Sequence, residues 1–121
     1  MPLYTAPDRR WTVVIGLTLV IAGLIAWGTL RPPGPPGPPV PYLDKTAHAT
    51  AFAALVAPMA WHRPRALVWG VPLALVYGGV IELIQPSFGR SAEWADFWAD
   101  GIGVALGCLP GLLRARRRNS V

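Results

Sequence analysis

The chain has 121 residues, of which 53% are hydrophobic and only 14% charged. Soluble domains carry about 25% charged residues, so this depletion, together with six tryptophans, points to lipid as the solvent. The net charge of +5 is no argument for nucleic acid, because the basic residues sit in short clusters between apolar runs, the pattern of cytoplasmic loops in membrane proteins. A single cysteine, Cys108, excludes an intramolecular disulfide and any cysteine metal cluster.

Residues 1–10 read as a short N-terminal tail. Residues 11–30 contain no charge, and a helix of that length covers about 30 Å, the thickness of the hydrocarbon core. The run exceeds the roughly 7–15 residues of a signal-peptide core and is followed by Arg31 and prolines rather than a cleavage site, so it reads as an uncleaved first span. Residues 31–43 form a proline-rich outer loop, expected as a stiff polyproline II spacer.

The second span, 44–61, is polar in its first third and apolar beyond. A short basic turn leads to the third, 66–84, charged only at Glu82. Residues 85–93 form a polar loop with Pro86 and Gly89 as breakers, and the fourth span, 94–113, carries Asp96 and Asp100 early. The tail 114–121 is basic and expected to fray. The expected fold is therefore an all-α integral membrane bundle of four transmembrane helices over 11–113. Four spans put both termini and the turn near residue 63 on one side, together with Arg9, Arg10, Arg63, Arg65, Arg114, Arg116, Arg117 and Arg118. The other side holds only Arg31, Lys45 and Arg90. That bias makes both termini cytoplasmic and the protein a multi-pass component of a plasma membrane.

The polar residues gather at helix ends. Asp44, Lys45 and His48 open span two; Glu82 and Gln85 close span three; Arg90, Ser91, Asp96 and Asp100 lead into span four. His48 lies about 15 residues before the hairpin fold and Glu82 about 18 after it, which puts both at about 23–28 Å from the cytoplasmic turn. Asp44, His48 and Phe52 share one helix face; so do Gly78, Glu82 and Gln85, and so do Asp96, Asp100, Gly103 and Gly107. Charged faces avoid lipid, so the three are expected to meet inside the bundle around a small polar cavity open to the outside. Gly103, Gly107 and Gly111 allow close approach of a neighbouring helix.

Arg90 and Lys45 are the candidate anion-holding groups. Arg90 is equally suited to an ion pair with Asp96 or Glu82, and Asp44 to capping span two. His48, with Glu82 or Asp96, makes a candidate acid/base pair. One histidine among hard oxygens is a weak metal set, so no metal or other cofactor is expected. Trp11, Trp27, Trp61 and Trp94 lie near span ends, as an interfacial aromatic belt requires.

The ordered pattern Asp44-Lys45-x2-His48-x3-Phe52, then Glu82-x2-Gln85, then Arg90-Ser91-x4-Asp96-x3-Asp100-Gly101-x-Gly103-x3-Gly107 resembles the VanZ-like family of small bacterial membrane proteins, over about residues 40–110. The family usually has asparagine at position 100; Asp100 keeps the acceptor, adds charge and loses the amide donors. The resemblance implies a four-helix protein of the bacterial cell envelope, in a family named for a member associated with teicoplanin resistance. Three functional readings follow. The first is a binding protein for the polar head of a lipid-linked or cell-wall component, with membrane lipids as its other partners. The second is an enzyme acting on such a lipid through His48 and Glu82 or Asp96. The third is a transport or proton-coupled accessory subunit.

Overall fold

The computed structural model describes residues 8–32, 34, 35, 37 and 43–120. Four α-helices make up nearly all of it: α1 (Arg9–Leu30), α2 (Leu43–His62), α3 (Leu67–Ile84) and α4 (Trp94–Asn119). Short 3-10 turns, Pro64–Ala66 and Gln85–Phe88, introduce α3 and follow it. No strand occurs among the described residues. Three segments, Arg9–Leu30, Pro64–Phe88 and Trp94–Asn119, are helical, long and apolar enough to cross a membrane. The α2 helix is not among them, because Asp44, Lys45 and His48 occupy its first turns.

The surface supports a membrane protein. All four helices turn large apolar side chains outward, among them Leu19, Trp61, Leu83, Trp98 and Leu106. The interior, by contrast, holds His48, Glu82, Gln85, Asp96 and Asp100. A soluble domain distributes these classes the other way round.

The arrangement is centred on α2. It packs most extensively on α4 and also touches α1 and α3, whereas α1 and α4 share no substantial contact. Its buried face of Phe52, Leu55, Val56, Met59 and Ala60 forms much of the apolar core with Ile25, Ala74, Ile81 and Val104. In lipid, helices associate through close packing and polar contacts rather than through water exclusion, and the glycines of α4 supply the closeness. A Cβ at Gly103 would occupy the space of the Ala49 carbonyl, one at Gly107 that of Ala53, and one at Gly111 that of Ala60.

Successive helices run in alternating directions. At one end, Asp8 caps α1 by accepting from the Arg10 amide at 3.0 Å, and its other oxygen lies 3.1 Å from His62 Nε2 at the close of α2. Arg63 stacks over Trp11 at 4.2 Å. The hydrogen bond from His62 holds the Asp8 carboxyl below the usual carboxylate range. At the same end Arg114 of α4 donates to the Trp61 carbonyl at 2.9 Å and lies over the Trp61 ring.

One expectation needs correction. The tail does not fray at residue 114: α4 continues through Asn119. Arginine is a good helix former, cations suit a helix C-terminus, and Arg114 is anchored on α2. The expected polar loop 85–93 opens with a 3-10 turn, Gln85–Phe88, that ends at Gly89, whose φ of 75° suits glycine. The expected polyproline II segment falls partly outside the described residues. Those described within it are not helical.

Candidate functional site

The opposite end of the bundle holds the polar residues. The i, i+4 spacing of Asp44 and His48 stacks them on one face of α2, and Asp96 and Asp100 stack likewise on α4. Close α2–α4 packing presses these faces together. The His48 ring is buried, with Nδ1 2.8 Å from Asp100 Oδ1. Its other nitrogen, Nε2, lies 3.8 Å from both Asp44 Oδ1 and Asp96 Oδ2. Asp100 fixes the ring plane, and whenever the imidazole is neutral with its proton on Nδ1 the free acceptor is Nε2. Gly78 makes room for this pair: a Cβ there would stand 2.8 Å from Asp100 Oδ2.

Lys45 is the cation of the cluster. Its Nζ bridges Asp96 Oδ1 at 3.2 Å and Glu93 Oε2 at 2.9 Å. Glu82 is buried on α3; its Oε2 accepts from the Glu93 backbone amide at 3.0 Å, and its Oε1 has no hydrogen-bond partner among the described residues. One donor atom each from His48, Glu82 and Asp100 lie within 4.8 Å of one another, and so do those of Asp44, His48 and Asp96. His48 and Glu82 therefore share one depth, as the hairpin geometry requires. Gln85 is buried, and its Nε2 donates to the Thr29 carbonyl at 3.1 Å and satisfies an otherwise orphaned acceptor in the last turn of α1.

Arg90 follows the left-handed Gly89, and its amide bonds the Gln85 carbonyl at 3.1 Å. The expected Arg90–Asp96 or Arg90–Glu82 clamp does not form. Lys45 takes Asp96, the Glu93 amide takes Glu82, and Arg90 makes no ion pair among the described residues. Arg90 instead lines a groove of about 460 Å³ between α1 and α2, with Asp44, His48 and Thr29 at the same end and Ile21, Leu24, Ile25, Ala51 and Phe52 along the wall. The expected open polar vestibule is thus two things, a tightly packed acid–histidine–lysine cluster and a mostly apolar groove beside it.

Asp44 lies in the first turn of α2, half-exposed, where its charge also complements the helix N-terminus. Ser91 is exposed, and its hydroxyl joins no hydrogen bond among the described residues. Phe97 and Trp98 line a cleft between α3 and α4 rather than the cluster. The residue that sequence reasoning missed is Glu93. It sits just before α4, outside the helical stripes, so spacing carried no sign that it links α2, α3 and α4 at once. No family model, curated protein or solved structure matches the chain.

Proposed function

We propose that the protein is a four-span, VanZ-like component of the bacterial plasma membrane, with both termini cytoplasmic, that binds the anionic head of a lipid-linked envelope component at its outer end. The observation that carries this reading is the groove between α1 and α2. Its length is apolar and suits an acyl or prenyl chain, and its polar end carries Arg90, which makes no ion pair among the described residues. Guanidinium binds phosphate and carboxylate in bidentate fashion. The three membrane-length helices and the excess of arginine at the end bearing both termini support the topology. The family reading adds the expectation that removing the protein alters glycopeptide sensitivity.

The test is native mass spectrometry of protein extracted in a mild detergent. The wild type is expected to carry a phosphate-bearing lipid, Arg90→Gln to lose it, and Arg116→Gln on the tail to retain it. An identical lipid profile in wild type and Arg90→Gln ends the proposal.

One observation favours an enzymatic variant of the same reading. His48 is locked through Nδ1 while Nε2 stays near the groove, the arrangement of an oriented general base. Turnover of the bound lipid by wild type and not by His48→Gln, with binding retained, would establish it. Binding without turnover in the wild type leaves the binding function alone.

A further inference from the structure

We propose that the cluster is a binding site for a divalent cation of mixed nitrogen–oxygen preference, with His48 Nε2, Asp44 and Asp96 as ligands. Nε2 stands 3.8 Å from a carboxylate oxygen of each aspartate. Donors around a four-coordinate ion with bonds of about 2.0–2.2 Å stand about 3.4 Å apart, so a contraction of a few tenths of an ångström brings Nε2 to that spacing from each aspartate, and all three donor atoms already lie within 4.8 Å of one another. Asp44 is half-exposed at the end of a helix and free to make that movement.

The surroundings are those of a metal-bound imidazole. Asp100, 1% exposed, lies 2.8 Å from Nδ1 and orients the ring so that Nε2 points toward Asp44 and Asp96, where a bound cation would take the place of a proton on Nε2. Lys45 occupies only Oδ1 of Asp96, leaving Oδ2 for coordination.

A second observation is independent of this geometry. Glu82 is 3% exposed, its carboxylate faces His48 and Asp100, and its Oε1 is buried without a partner among the described residues. Of the three buried acids Glu82, Asp96 and Asp100, Lys45 contacts only Asp96, while Asp100 is bonded to His48 and Glu82 has no cation in contact among the described residues. Buried charges persist when paired or metal-bound, and a divalent ion at His48 supplies the missing positive charge. One imidazole with carboxylates suits Mn2+ or Zn2+ rather than a thiophilic ion. Asp44 and His48 also line the groove, so a phosphate beside Arg90 would be placed to complete the ion's coordination. That last step rests on the function proposed above; the cation site does not.

Titration of detergent-purified protein with Mn2+, followed by pulsed electron paramagnetic resonance, tests the site. The wild type is expected to bind one Mn2+ per chain with a nitrogen hyperfine coupling from a single imidazole, displaced by Zn2+. Asp96→Asn should weaken binding at least tenfold, and Asp44→Asn should do the same without touching the buried cluster. Arg90→Gln should keep the cation while losing the lipid, which separates failure of one proposal from failure of the other. Absence of nitrogen coupling in the folded wild type, or equal Mn2+ affinity in wild type and Asp44→Asn, overturns the site.

Discussion

Two side chains separate geometry from charge. Asp100 gives His48 Nδ1 its acceptor, and a buried donor left without one costs about 1–3 kcal/mol. Asp100→Ala should therefore destabilise by that amount, while Asp100→Asn, which keeps an acceptor oxygen, should cost clearly less; equal losses in a denaturant titration would remove the hydrogen bond from the account. Asp8 is the second case. Its folded pKa is depressed, so the Asp8–His62 contact stabilises above the unfolded-state pKa and is lost as pH falls through the lower folded value. Asp8→Asn should be less stable than wild type near neutrality and converge with it at acid pH. A stability difference that stays constant down to strongly acid pH would contradict the ion pair.

Among the elements, the α2–α4 pair sets the architecture. A methyl group at Gly103 has nowhere to go except into the Ala49 carbonyl, and overpacking of this kind typically costs about 1–3 kcal/mol. Gly103→Ala should lower the midpoint of detergent-induced unfolding, whereas Gly79→Ala, whose methyl meets only Phe97 Cε2 at 3.7 Å, should leave it near wild type. Similar behaviour of the two variants would refute the close-contact account. The helical stripes were legible in the sequence because spacing fixes which residues share a face: His48, Phe52, Gly78, Glu82, Gln85, Asp96, Asp100, Gly103 and Gly107 are all buried. Partner choice was not legible. Arg90 and Lys45 looked equivalent as partners for Asp96, and only the turn at Gly89, which sends Arg90 toward α1 and α2, decides between them. The length of α4 was misjudged because a basic run reads as solvated tail until Trp61 appears beside it to hold Arg114.

For the molecule as a whole, the alternation of helix direction divides charge between the two ends. In a Cys108→Ala background, Ser91→Cys should react with an impermeant maleimide from outside intact cells, and Arg65→Cys only after permeabilisation. Labelling of both from the same side would exclude the four-span topology. The placement of α2 among its neighbours has a consequence for biogenesis. This helix is too polar at its start to partition well alone, yet it is synthesised second, and the carboxylates that match Lys45 and His48 arrive mostly with the last helix. A nascent chain halted before Glu93 lacks both carboxylates that bond Lys45 and the Asp100 acceptor of His48, so the interval between the emergence of α2 and of α4 is the stage most exposed to quality-control proteases.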